Sequence, residues 1–529
     1  MLHLLLGLCR VLRSALLLLF AVGMAVCLPA VAASQDSARR IDLGGPWTLR
    51  AVAGTRAGKA LTADDPAGRA RTAHVPAALE HELGADFAGV VEYVREVDVE
   101  RPRDAARLRL RFGAVMTHAR VFFNGRELGE HLGGWTPFAF DLPGDAFRDE
   151  GPQQLRVLVD ERVGHATQGF LPDIAPHFGG IWQDVVLEVV PRGHVPSDAL
   201  ELATRVEANR RELTLRVAKR YVTRDFAVEA SLIGDDAVLE VTPQEALEDG
   251  DDVLYRWDVA GAEFWSPARP VTFEAIVTLR SAARAIGRAA RRVAFCDIQG
   301  SGRHVLLNGR EHCVRGILHW GYAPPFHAPL PPETYWLEEL RFAKACGFDT
   351  IKACLWLPPP RFFELALREG LLVWVEYPAW HPDFSAKKRA ELLAEYGEFF
   401  RADRAWPHVI ARSLTCETGH SSDAGVVQAL FDECKRVTRG GLVEDDSSWI
   451  TWNRFHDFYD DHPYGNPSDW VGRLRGFDAY IREKGAKPFL LGEAIAGDTW
   501  VELERLEARI GALRAAAGPW WGPHALDAM

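Results

Sequence analysis

The sequence predicts a multidomain β plus α/β protein: two β-sandwiches followed by a (β/α)8-type barrel that lacks its last βα unit. Three textures along the chain carry this. From about residue 41 to 190, short alternating runs such as RLRLRFGAV, ARVFFNGREL and QQLRVLVDERV are separated by turn residues, the period-two pattern of an all-β sandwich. Asn124-Gly125, two residues that tolerate positive φ between strand-like runs, marks a hairpin. A second β stretch, about 197–295, contains RELTLRVAKRYV, FAVEASLIG, DDVLYRWDV and VTFEAIVTLRS, at the length and spacing of a small immunoglobulin-like domain. After Gly300 strands alternate with helices, as a βα barrel requires. The units are HCVRGIL with a helix near 332–346, DTIKACL with 360–369, LLVWVEY with 386–403 and HVIARSL with 424–436. SWITWN follows as strand five, then DFYDDHPY with a helix near 470–484, and PFLLGEA with 501–516. Seven strands are readable and no eighth.

At 529 residues the chain has room for two to four domains, and its 48% hydrophobic and 25% charged residues exclude wholesale disorder. A net charge of −12 leaves no basic field for a nucleic-acid backbone, so no nucleic-acid partner is expected. The 17 Trp and 27 Phe offer flat surfaces that stack on sugars or bases, although most of them serve a core. Arg10 and Arg13, the apolar run from Ala15 to Leu28 and the small residues before Ser34 form a secretory signal pattern, so export to a periplasmic or extracellular location is expected. A retained anchor helix is the alternative, with an apolar run shorter than the ~20 residues a span needs; no membrane contact beyond this segment is expected. Beyond the signal, Cys296, Cys313, Cys346, Cys354, Cys416 and Cys434 lack C-x-x-C spacing, which implies neither a zinc site nor a disulfide scaffold.

In a βα barrel the active site lies at the C-terminal strand ends. Glu417 ends strand four and Glu493 ends strand seven, and barrel closure brings the two across one mouth. Glycosidic bond cleavage needs such a pair, one carboxyl to protonate the leaving oxygen and one to attack or stabilise the anomeric carbon. A lone Glu after a strand usually caps a helix or pairs with a base; two at these positions are harder to explain that way. Other strand ends supply His319, Lys352 and Trp356, Glu376, Trp452 and Asn453, and His462 and Tyr464, a mixture of hydrogen-bonding groups and rings suited to sugar hydroxyls and C–H faces. Taken singly, each serves core packing equally well. His456 and His462, six residues apart, share no helical face, and no metal site is expected.

These segments give the chain a specific resemblance. VEYVREVDV, VFFNGRELGEHLGGWTPFAFDL and HFGGIWQDVVLEV in the first part, LLNGREHCVRGILHWG at the barrel entry, CGFDTIKACLWLPPPRFFELALREGLLVWVEYP, HVIARSLTCETG and PFLLGEAIA resemble glycoside hydrolase family 2, the β-galactosidases, β-glucuronidases and β-mannosidases. After the signal peptide expected at 1–33, the resemblance implies a jelly-roll sugar-binding domain at 34–192, an immunoglobulin-like sandwich at 193–296 and a catalytic barrel at 297–529. It also implies a retaining exo-β-glycosidase acting on carbohydrate, without metal or organic cofactor, with Glu417 as acid/base and Glu493 as nucleophile, ~5–5.5 Å apart.

Departures from the family pattern accompany the match. Cys416 stands where the family has an Asn that donates to the sugar, which weakens transition-state binding or indicates another substrate. Lys352 replaces an Arg, and Trp356 lies where many members have a His. A non-catalytic or degenerate carbohydrate-binding member is therefore the alternative. Without an eighth strand, the edges of strands one and seven would be unpaired, and association into a homo-oligomer through that gap is expected.

Overall fold

The computed structural model describes residues 39–494 except 63, 101–106, 170–176, 224, 236, 283, 322, 324–327 and 465–466. The expected signal segment and the expected helix at 501–516 lie outside the described residues. Among these, no helix is long and apolar enough to cross a membrane, and the six cysteines are free thiols.

The first part is a sandwich of a four-stranded and a seven-stranded sheet. Gln153–Asp160 shows how sequence makes it: Leu155, Val157 and Val159 point inward while their neighbours are half-buried, the alternation of a sheet with one face on a core. Asn124 (φ 50°) and Gly125 (φ 85°) turn His118–Phe123 back onto Arg126–Leu132, as the dipeptide predicts. The second part, Leu200–Glu207 to Arg284–Val293, is two four-stranded sheets closed over Leu213, Leu215, Trp257, Val277 and Leu279. A three-stranded meander, Ile298–Ser301, His304–Leu307 and Arg310–His312, leads into the βα region.

Parallel strands β1 (Gly316–His319), β2 (Thr350–Ala353), β3 (Leu372–Glu376), β4 (Val409–Cys416) and β5 (Leu442–Ser447) form one sheet in that order. A second parallel pair is β6 (Tyr459–Asp461) with β7 (Phe489–Leu491). Helices α1 (Glu333–Ala345), α2 (Pro360–Glu369), α3 (Arg389–Asp403), α4 (Ala424–Thr438) and α5 (Pro467–Lys484) connect them. Strands β2 to β5 are buried at every position, as strands covered on both faces are. Helix α2 starts with Pro360 at its first turn and ends on Gly370 in the left-handed region, the usual start and stop signals of a helix.

Strand five corrects the sequence reading. SWITWN is a turn, with Trp452 N donating to Trp449 O at 2.7 Å, and the strand is the preceding LVEDDS, Leu442–Ser447. Three consecutive acids disguise it. Each is hydrogen-bonded inside the fold: Glu444 accepts from Ser413, Asp445 from the Arg454 backbone, and Asp446 from four groups around β4. Trp452 and Asn453 consequently follow the strand end by several residues.

The sandwiches pack on the βα region. Met116, Trp135, Phe178 and Trp182 from the first share a core with Trp356, Phe362, Tyr377 and Tyr396, and Trp265, between the strands Asp252–Val259 and Phe273–Ser281 of the second, donates to the carbonyl of Leu367 on α2 at 2.9 Å.

Candidate active site

The strand ends converge. β4 delivers Glu417 and β7 delivers Glu493, and His462 follows β6; one donor atom from each lies within 4.8 Å of the other two. The Tyr464 hydroxyl is hydrogen-bonded to Glu493 and lies 3.4 Å from Glu417 Oε1. Both glutamates are half-buried, at the boundary between the packed interior and the mouth.

Glu417 has φ 47°, a left-handed conformation that costs a non-glycine residue about 1 kcal/mol or more and has to be held by its surroundings. Its backbone N–H donates to Ser447 O at 2.9 Å. Asp446 clamps the next two residues, accepting from Thr418 N at 2.9 Å and Gly419 N at 2.8 Å, and also from Thr415 Oγ1 at 2.8 Å and Ser448 Oγ at 2.6 Å. The clamp reaches the site from the acidic strand that sequence reading missed.

His462 is fully buried and lies between two carboxylates. Its Nδ1 is 2.9 Å from Glu417 Oε1, and its Nε2 is 3.1 Å from Ser447 Oγ and 3.7 Å from Asp460 Oδ2. Burial alone would lower its pKa, but Asp460 and Glu417 outweigh that and push it up to about 10. The hydrogen bond from His462 in turn holds the Glu417 carboxyl below its ordinary range, assisted by Trp380 and Tyr464. At neutral pH this is an imidazolium–carboxylate pair with one proton on the Nδ1···Oε1 axis. Gly492 permits the fit: its N–H donates to Asp460, and a Cβ there would overlap that carboxylate.

Behind the glutamates, Lys352 Nζ pairs with Glu376 Oε2 at 2.7 Å and donates to Ser447 Oγ at 2.8 Å and Gly492 O at 3.2 Å. Cys354 donates to Glu376 Oε1 at 3.1 Å and lies 3.7 Å from Glu493 Oε1. Burial opposes the charge on Lys352, yet the facing carboxylates of Glu376, Glu493 and Asp460 keep it protonated. Glu376 and Lys352 are 0% and 3% exposed, so they brace Glu493 from behind rather than meet solvent.

The remaining expected residues divide. Tyr464, 36% exposed, stands at the mouth. Cys416 is buried directly before Glu417, its N–H bonded to Ala379 O at 2.9 Å. Trp356 is 1% exposed, packs on Phe362 and donates to His319 O at 2.7 Å, while His319 is 2.9 Å from Glu339 on α1. Asn453 is buried and donates to Asp446 O and Glu444, supporting the clamp, and Trp452 stacks near Trp449, beside Gly419. Asp446, Ser447, Asp460 and Cys354 were missed; the paired acids in DFYDDHPY were the one available signal. The donors of Cys354, Glu376 and Glu493, like those of Glu417, His462 and Glu493, are close enough together to hold a metal ion, but Lys352, Tyr464 and the imidazolium already engage their oxygens. A cavity of about 910 Å³ lies between β1 and β7, lined by Ile317, Thr350, Lys352, Phe489 and Gly492.

Two facing carboxylates at parallel strand ends are the arrangement that cleavage of a glycosidic bond uses. Residues 71–191 match the family model described as the sugar binding domain of glycosyl hydrolases family 2. The chain is 23% identical over 297 residues, 54% of its length, to a putative beta-glucuronidase of Formosa agariphila, and 22% identical over 304 residues, 56% of its length, to a beta-galactosidase of Thermoanaerobacter pseudethanolicus. These matches span only 34% and 40% of the two relatives. The crystal structure of a GH2 beta-galacturonidase from Eisenbergiella tayi bound to galacturonate superposes with TM-score 0.68 at 21% identity, covering 88% of this chain and 82% of that one. Over residues 71–191 the chain is similar to that family's sugar binding domain, and its fold is that of the GH2 structure.

Proposed function

We propose that the protein is an exported retaining exo-β-glycosidase that hydrolyses β-linked oligosaccharides or glycoconjugates. The observation that carries this is the convergence of Glu417 and Glu493, with donor atoms within 4.8 Å of each other and a shared tyrosine contact. That spacing leaves no room for a water between carboxylate and sugar and suits direct attack. Glu493 attacks the anomeric carbon, forming a C–O ester bond as the bond to the leaving oxygen breaks. That oxygen takes its proton from Glu417, which draws on the proton held at His462 Nδ1. Glu417 then deprotonates a water that attacks the same carbon, releasing Glu493 and a sugar of unchanged anomeric configuration. Lys352 and Cys354 hold the nucleophile's side of the site through Glu376, and Asp446 fixes the acid.

The same reading takes the seven parallel strands of the described residues as strands of a (β/α)8 barrel, with the cavity between β1 and β7. A panel of chromogenic β-galactosides, β-glucuronides, β-mannosides and β-glucosides tests the function. Turnover of at least one, with the β-anomer as first product by NMR, is expected; no turnover of any, or the α-anomer first, contradicts it.

A further inference from the structure

Away from this site, the first sandwich contains a second cluster of ionisable groups. Glu80 sits on the short helix Glu80–Leu83, Glu161 immediately follows Gln153–Asp160, and His177 precedes Phe178 of the shared core. His177 Nε2 lies 2.9 Å from Glu161 Oε2 and 3.6 Å from Glu80 Oε1, and the three residues can each place one donor atom within 4.8 Å of the others. Both glutamate side chains are 1% exposed. Glu80 Oε2 accepts from Gly179 N at 3.1 Å, but Glu80 Oε1 and Glu161 Oε1 are buried without a hydrogen-bond donor. Burial and the neighbouring Glu161 push the Glu80 carboxyl up to about 8, and burial also raises Glu161. Two buried carboxyl oxygens beside one imidazole are thus left without a donor, a costly arrangement that a bound cation would satisfy.

We propose that Glu80, Glu161 and His177 form a binding site for one divalent transition-metal ion of the zinc class. One imidazole nitrogen and two carboxylate oxygens are a donor set of that class. Ligands held about 2.0–2.2 Å from a common ion stand roughly 2.9–3.6 Å apart for angles between square and tetrahedral, the range of the two distances from His177. On binding, His177 Nε2 and Glu80 give up their protons to solvent and the ion takes their place.

The site has a structural path to the glutamates of the mouth. Glu161 and His177 bracket the segment that touches the βα region at Gly169, whose N–H donates to Pro378 O at 2.7 Å, and the adjacent Ala379 O holds Cys416 N at 2.9 Å, one residue before Glu417. An ion here would pin both ends of that segment.

The test is calorimetric titration of the full chain, stripped with a chelator, with Zn²⁺ at pH 7, alongside thermal unfolding. The wild type should take up one equivalent at this cluster with release of protons and melt several degrees higher in its presence. Glu80→Gln and Glu161→Gln should weaken that binding at least about 100-fold. Without zinc Glu80→Gln should melt close to wild type, because Glu80 is already mostly protonated at pH 7 and glutamine replaces one neutral polar group with another. His177→Gln gives the same loss of binding if either glutamate variant fails to fold. Glu493→Gln, which breaks both donor groups of the mouth, should keep the equivalent. No saturable binding, binding untouched by the cluster variants, or binding lost in Glu493→Gln would each overturn the proposal.

Discussion

Replacing His462 by Gln probes the proton economy of the site. Glutamine keeps a donor within reach of Glu417 or Asp460 but cannot carry charge, so two carboxylates are left facing a buried space without their cation. His462 is raised from 6.5 to about 10 in the folded protein. At about 1.4 kcal/mol per unit, and in line with the cost of breaking a buried pair, the substitution should destabilise the protein by about 3–5 kcal/mol at pH 7. A raised histidine gives stability that is complete below about pH 6.5, where folded and unfolded chains are both protonated, and that is lost as pH rises through the folded value near 10. Wild-type stability should therefore decline between pH 7 and 10, and that part of the decline should vanish in His462→Gln. Activity should follow the proton. The pair holds it well into the alkaline range, whereas Glu417 alone titrates as a carboxyl, so the alkaline limb of kcat/KM should fall by about two units or more. Denaturant midpoints at pH 7 and 9 and a pH–rate profile on a chromogenic substrate measure both. Matching alkaline limbs, with midpoints within about 1 kcal/mol, would refute the shared-proton reasoning.

Glu417→Gln and Glu493→Gln should each lower kcat by about 1,000-fold or more without unfolding the chain, measured by steady-state kinetics and circular dichroism. With an activated leaving group, azide should rescue Glu417→Gln and yield a β-azide detectable by NMR, but should not rescue Glu493→Gln. Asp446→Asn replaces an acceptor oxygen with a donor in the clamp that holds Glu417 at φ 47°, and kcat should fall by about 10–100-fold with a smaller change in KM. Glu376→Gln leaves the buried Lys352 ammonium without its carboxylate, and urea unfolding should show a loss of about 3 kcal/mol or more, together with a KM raised more than kcat is lowered.

Sandwiches and parallel strands were legible because their residues alternate or run apolar where the fold needs it: Leu155, Val157 and Val159 face one core, and LVWVE of β3 is buried throughout. Glu417 and Glu493 were legible because each stands within two residues of the end of an apolar strand. Strand β5 was not, because LVEDDS derives its burial from polar partners on neighbouring segments, which periodicity does not register. SWITWN has the hydrophobicity of a strand but folds as a turn. The roles of Trp356, Lys352 and Glu376 were equally hidden. A tryptophan after a strand can face a sugar or pack on a helix, and only the contacts of Trp356 with Phe362 and the His319 carbonyl decide it. The left-handed backbone at Glu417 and the Asp446 clamp depend on contacts about thirty residues apart in sequence, beyond any local pattern.

The most direct measurement is active-site labelling with 2-fluoro glycosyl fluorides of galactose, glucuronic acid, mannose and glucose, followed by peptide mass spectrometry. The account predicts that one of them inactivates the protein with one label per chain, carried by the peptide containing Glu493 as a β-configured substrate's α-linked ester, and that Glu493→Gln takes up none. A label on Glu376 or Glu417 with Glu493 left free, or turnover of β-glycosides that proceeds with no trappable ester, would contradict it.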